Sequence, residues 1–160
     1  HVNTVNIPWE VAFQEKRGAP ATAHFDQLIN LADSDVDGIK YFSGVATYTS
    51  SFEVKDDELD SHQILLDLGK VGVMAEVTVN GNNLGVYWKT PYRIDITEAL
   101  HAGKNDIEVK VTNLWINRLI GDSRPEVTEK VTWSQYPFYR PTSQMSPSGL
   151  MGPVSLIICK

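Results

Sequence analysis

Apolar and polar positions alternate along much of this chain, the period-two signature of strands that bury one face. In the clearest run, Ala46, Tyr48, Ser50, Phe52 and Val54 share one face, and Thr47, Thr49, Ser51 and Glu53 share the other. Val73, Ala75, Val77 and Val79 alternate with Met74, Glu76 and Thr78, and Tyr92, Ile94 and Ile96 with Arg93 and Asp95. Ile107, Val109 and Val111 alternate with Glu108, Lys110 and Thr112. Further strands are expected over residues 9–13, 64–68, 84–87, 127–131 and 154–158. The last of these is apolar on both faces, which places it inside a sheet. Asn80-Gly81 supplies the positive φ angles of a tight hairpin, and Ala102-Gly103-Lys104-Asn105 reverses the chain before another strand. Helix is scarce. Residues 25–33 suit a short helix or an irregular crossing, and Thr97-Glu98-Ala99-Leu100 suits one helical turn capped by Thr97. Short strands with one apolar face and regularly spaced turns predict an all-β, antiparallel sandwich or barrel.

Composition narrows this further. A chain of 160 residues suffices for one domain with its own core, spanning 1–160. Fourteen basic residues against 20 acidic ones give a net charge of -6. That balance argues against nucleic acid, whose phosphates need clustered Lys and Arg, and against an anionic membrane surface. No stretch approaches the roughly 20 apolar residues of a membrane span. The single cysteine, Cys159, can form neither an internal disulfide nor a thiolate cluster and reads as a small buried strand residue. The chain opens on His1 without a charged and then apolar leader, so it reads as a piece of a longer protein.

Residues 113–152 break the pattern. They hold Pro125, Pro137, Pro141 and Pro147 together with many aromatics, and long irregular segments of this kind in a compact domain tend to be functional. Trp88, Trp115, Trp133, Tyr136, Phe138 and Tyr139 fall at strand ends or in this segment. Sugars pack their C–H faces on aromatic rings, while their hydroxyls need fixed polar partners. Asn117, Arg118, Asp122, Gln135 and Arg140 stand nearby in sequence to supply them. The same rings suit equally a cover over the open end of the core or a contact with a neighbouring domain. With Tyr92, the candidate carbohydrate-binding set is Trp88, Tyr92, Trp115, Asn117, Arg118, Asp122, Trp133, Tyr136, Tyr139 and Arg140. Within Asn117-Arg118-Leu119-Ile120-Gly121-Asp122, Arg118 and Asp122 are expected to pair across a tight loop that Gly121 allows to bend. A loop clamp is the better reading of that pair than a ligand site.

No catalytic constellation stands out. The histidines His1, His24, His62 and His101 lack metal spacing. Neither a Gly-x-Ser-x-Gly elbow nor a phosphate-binding glycine loop occurs. Asp33-Ser34-Asp35-Val36-Asp37-Gly38 matches the first half of a calcium loop, but Gly44 stands where that loop needs a bidentate Glu. A plain acidic turn is the better reading, a weak structural calcium site is the lesser alternative, and no other cofactor or metal is expected.

Three segments together carry a resemblance. They are Gly38-Ile39-Lys40-Tyr41-Phe42-Ser43-Gly44-Val45-Ala46-Thr47-Tyr48; Ala75-Glu76-Val77-Thr78-Val79-Asn80-Gly81 with Asp95-Ile96-Thr97, Gly103 and Asn105; and residues 113–122 with Ser148-Gly149-Leu150-Met151-Gly152-Pro153-Val154. The middle one resembles the sugar-binding jelly-roll domain of glycoside hydrolase family 2, of galactose-binding-domain-like type. The full set is most similar to the C-terminal module of bacterial α-L-rhamnosidase-like enzymes of the family 106 type. The resemblance implies an antiparallel jelly-roll β-sandwich. It also implies a non-catalytic carbohydrate-binding or accessory module from a secreted or periplasmic glycoside hydrolase. Its partners would be an oligo- or polysaccharide of plant or host origin and the catalytic domain of the same parent chain. A purely structural brace for that domain is the alternative.

Overall fold

The computed structural model describes residues 1–159. Every strand pairing it contains is antiparallel. One sheet of six strands runs β3 (Thr22–Phe25), β2 (Trp9–Phe13), β4 (Gly44–Val54), β10 (Gly103–Asn113), β7 (Met74–Val79), β8 (Asn82–Tyr87). A second of four runs β1 (Val2–Thr4), β12 (Ser155–Cys159), β5 (Gln63–Asp67), β9 (Arg93–Asp95). A short pair, β6 (Lys70–Val71) and β11 (Leu150–Gly152), closes one end. The expected β-sandwich is therefore the fold.

The alternation selects the buried faces. Ala46, Tyr48, Phe52 and Val54 of β4, Ala75, Val77 and Val79 of β7, and Ile107, Val109 and Val111 of β10 point into one core. They meet Ile64 and Leu66 of β5, Ile94 of β9 and Leu156 of β12 from the opposite sheet. The two longest strands, β4 and β10, pair over eleven residues, from Gly103 opposite Val54 to Asn113 opposite Gly44. A one-residue slip would turn every one of these side chains outward, so burial fixes the register. Trp9 packs edge-on against Tyr48 at 6.3 Å and Phe13 against Phe42 at 5.0 Å, distances suited to favourable edge-to-face contact. The strand apolar on both faces, β12, does lie between β1 and β5.

The Asn80-Gly81 hairpin joins β7 to β8, with φ of 48° and 78°. The Asn80 side chain also ties two loops together. Its Nδ2 donates to Ala99 O (2.8 Å) and to Asn105 Oδ1 (2.7 Å), and its Oδ1 accepts from Asp106 N (2.8 Å).

Three local expectations are corrected, and the choice left open at residues 25–33 is decided. Residues 127–131 form no strand. Val127 N instead donates back to Arg124 O in a turn following Pro125 (3.2 Å). Residues 25–33 are mainly an irregular crossing that ends in a single 3-10 turn, Leu31–Asp33. At residues 97–99 the turn is also 3-10, and Thr97 is not its cap. Asp95 Oδ1 accepts from Thr97 N (3.0 Å) and Oγ1 (2.6 Å), while Thr97 Oγ1 accepts from Ile64 N (2.9 Å) and so ties the turn to β5.

The third correction is the segment read as a tight loop at 117–122, which is helical. Two four-residue helices, α1 (Asp37–Lys40) and α2 (Asp56–Leu59), precede the seven-residue α3 (Ile116–Asp122). Gly121 serves close packing rather than a bend. A Cβ there would lie 2.6 Å from Cγ of the Tyr41 ring. None of these helices is long and apolar enough to cross a membrane.

Candidate functional site

The chain leaves α3 and does not rejoin a sheet until β11, so residues 123–149 form a long irregular arm. An arm without its own sheet must satisfy its backbone groups elsewhere. Two clamps from α3 do this. Asn117 Nδ2 donates to Ser146 O and Asn117 Oδ1 accepts from Ser146 N, both at 2.7 Å. Asp122 Oδ2 accepts from Thr132 N (2.7 Å) and Thr132 Oγ1 (2.6 Å). Its other oxygen, Oδ1, accepts from Arg118 Nε (2.9 Å) and Nη2 (2.7 Å). The expected Arg118–Asp122 pair is real, made along a helix at i, i+4 rather than across a loop.

The far foot is held from the core. Asn113 Oδ1 accepts from Gly149 N (2.7 Å), and Asn30 Oδ1 accepts from Ser148 N (3.0 Å). Gly149 sits at φ +82° where a Cβ would fall 2.4 Å from the Tyr48 hydroxyl. Ser43 Oγ accepts from Arg118 N (3.1 Å), so the start of α3 is fixed as well.

Between these feet the rings stand in solvent. Trp133 is 84% exposed, Tyr136 68% and Phe138 86%. Arg140 is exposed and Tyr139 half-buried. Beneath them is a cleft of about 120 Å³, lined by Asp122, Lys130, Thr132, Phe138 and Tyr139 among others. Trp88, also exposed, lies apart on the β8–β9 connection. Trp115 is 41% exposed, and the Arg17 guanidinium stacks over its ring at 4.5 Å.

The sequence-derived set thus divides. Trp133, Tyr136, Tyr139 and Arg140 share the arm. Asn117, Arg118 and Asp122 are buried, with their polar atoms engaged by the protein itself. Tyr92 is a core residue whose hydroxyl donates to Val73 O (2.8 Å). It borders a groove of about 690 Å³ at the end of the sandwich, with Asn30, Lys70, Thr90, Pro147 and Met151. The partners Thr132, Ser146 and Asn30, and the Arg17–Trp115 stack, had no sequence signal beyond residue type, because they meet only through the fold.

Electrostatics at the site is local. Arg124 stacks on Tyr41 at 4.2 Å and donates from Nη1 to Asp37 Oδ2 at 2.8 Å. That bond holds the Asp37 carboxyl below the usual carboxylate range and raises the Arg124 guanidinium. Asp95 is also lowered, first by the hydrogen bond from Gln63 and then by those from Thr97. Asp37, in the acidic turn weighed for calcium, therefore spends its carboxylate on Arg124. Among the described residues no group of three or more His, Cys, Asp or Glu is placed to hold a metal ion.

Comparison with known proteins places this geometry. A rhamnosidase from Novosphingobium sp. PP1Y superposes with a TM-score of 0.90 at 43% identity, over 98% of this chain and 15% of that one. A putative beta-glucuronidase from Formosa agariphila is 37% identical over 172 aligned residues, covering 92% of this chain and 15% of the relative. A β-glucuronidase from Ruminococcus gnavus shares the fold, with a TM-score of 0.60 at 20% identity over 71% of this chain and 22% of that one. The chain thus spans a small fraction of each relative. The profile described as glycosyl hydrolase 2 galactose-binding domain-like matches residues 24–144, and the chain belongs to that family.

Proposed function

We propose that the chain is a non-catalytic accessory module of a larger glycoside hydrolase and that its arm binds carbohydrate. The observation that carries this reading is the pairing of Trp133, Tyr136 and Phe138, exposed at 84%, 68% and 86%, with feet fixed by Asn117, Asp122 and Asn113. Exposed rings on an anchored backbone are what a sugar face needs, since little ordering cost is left to the moment of binding. Ser134, Gln135 and Arg140 stand beside the rings to meet hydroxyls. The relatives support the larger context, because a rhamnosidase and a putative beta-glucuronidase each match nearly all of this chain with 15% of their own length.

The profile that matches the chain describes a galactose-binding domain-like unit, which supports the non-catalytic part of the proposal. Affinity electrophoresis through a panel of polysaccharides tests the reading. Retardation that disappears in Trp133→Ala supports it, and mobility unchanged across the panel refutes it.

One observation favours a second role. Phe138, the most exposed ring, has no polar handle, and wholly apolar surface of this kind suits a protein neighbour better than a wet sugar. On that reading the arm packs against the catalytic domain of the same chain. Phe138→Ala would then lower the melting temperature of the full-length parent while leaving that of this domain alone.

A further inference from the structure

The hairpin between β2 and β3 carries a cation, Arg17, for which the described residues supply no counter-charge. Arg93, Arg118 and Arg124 each pair with a carboxylate at 2.7–2.8 Å. Arg17 pairs with none among the described residues. Its Nε is buried without a hydrogen-bond partner, and its terminal nitrogens, also unbonded, reach solvent. In a chain of net charge -6, carboxylates are plentiful, so an unpaired and half-buried guanidinium is unusual.

The side chain is nevertheless held in place. Its guanidinium lies 4.5 Å from the centre of the Trp115 ring. The hairpin beneath it is pinned to β4, because Gln14 N donates to Val45 O (2.9 Å) and Gln14 Oε1 accepts from Val45 N (3.1 Å). Gly18, at φ +80°, presses so closely on Arg118 and Val131 that a Cβ would fall 2.9 Å from Arg118 Nη1. The hairpin therefore abuts the foot of the aromatic arm. The result is a fixed, stacked fork of N–H donors beside a ring that is 41% exposed.

We infer that Arg17 and Trp115 form a subsite for a sugar that carries a carboxylate, a uronic acid unit of a polysaccharide. The indole holds the guanidinium on one face, and its exposed edge borders the sugar ring. The guanidinium receives the carboxylate through parallel N–H···O bonds, a geometry that Lys cannot reproduce. The inference rests on the carbohydrate-binding reading above and narrows it to a chemical class.

The net charge makes the test clean, since an acidic protein is repelled by a polyanion unless a local site overrides the repulsion. The chain is run through gels of polygalacturonate, of the same polymer after carboxyl reduction, and of dextran sulfate. Polygalacturonate is expected to bind about tenfold more tightly than its reduced form. Arg17→Gln and Trp115→Ala remove that difference, and Arg17→Lys restores only part of it, with circular dichroism confirming that each variant is folded.

Equal retardation by the reduced polymer overturns the carboxylate class and leaves carbohydrate binding standing. Retardation by dextran sulfate alone reassigns the site to sulfate esters and overturns the uronate inference. Unchanged binding in Arg17→Gln removes Arg17 from the site. Mobility unaffected by any polymer, including neutral ones, sinks the carbohydrate reading itself.

Discussion

Removing the Asp122 carboxylate should unfasten the arm without touching a single exposed ring. Asp122 and Arg118 are 4% and 6% exposed, so little solvent screens the pair. In Asp122→Ala, the guanidinium stays buried without its partner, a situation that costs about 3–5 kcal/mol. The two bonds from Thr132 at 2.7 and 2.6 Å are lost as well. Thr132 is half-buried, so water recovers part of that loss and about 1 kcal/mol remains. The sum, roughly 4–6 kcal/mol, is a large share of the ~5–15 kcal/mol that holds a domain folded. For a domain of this size it corresponds to a fall in melting temperature of about 8–24 °C.

Urea unfolding followed by circular dichroism measures the loss. Trypsin reports on the arm, because Lys130 lies within it, followed by Val131, and should be cut faster in the variant. A paired replacement separates lost charge balance from lost packing. Arg118→Met with Asp122→Leu leaves no buried charge and should recover much of the stability. Thr132→Val removes one hydroxyl bond and should cost only about 1 kcal/mol. An Asp122→Ala domain within about 1 kcal/mol of the parent, or a double variant as unstable as the single one, would show that the clamp does not hold the arm.

Four further outcomes follow from the same geometry. Gly149→Ala should cost about 3 kcal/mol or more in urea unfolding, since its Cβ would fall 2.4 Å from the Tyr48 hydroxyl and 2.7 Å from Leu31 Cγ at φ +82°. Gly81→Ala, at φ +78° with nothing within 4 Å of the new Cβ, should cost only about 1–2 kcal/mol from backbone strain. Trp133→Ala, at a ring 84% exposed, should change domain stability by no more than about 0.5 kcal/mol; a larger drop in melting temperature would mean that the ring packs on the domain. Asp95 should titrate below 3.8 by carboxyl NMR, because Gln63 and Thr97 bond to its ionised form. Its contribution to stability is present above that unfolded value and fades as pH falls through the lowered folded one, and Asp95→Asn should flatten that part of the pH–stability curve.

The sandwich was readable because its strands carry local information. Alternation in β4 and β10 gives the buried face and then the register, and Asn80-Gly81 gives a hairpin by the two positive φ angles it tolerates. Alternation alone misleads at 127–131, where two valines four residues apart find no strand to pair with. Asn117-Arg118-Leu119-Ile120-Gly121-Asp122 was misread because a glycine in sequence suggests a bend. What it meets in space is the Tyr41 ring, a contact that no local pattern encodes. The Arg118–Asp122 pair was legible from spacing, but the second oxygen's bond to Thr132 was not. The fate of the buried polar residues makes the arm more than an elaborate connection. Burying a polar group is costly unless it is bonded, so a domain places such groups where they fix something. Ser43, Asn113, Asn117, Arg118, Asp122 and Ser148 are all buried, and all lie in α3, in the feet of the arm or in direct contact with them. Only Asn105 and Ser155 of the buried polar residues lie elsewhere. Among the described residues, then, the polar interior of this sandwich is spent chiefly on holding one aromatic loop still. Such an arrangement makes physical sense if the rings on that loop are what the domain presents to its partner.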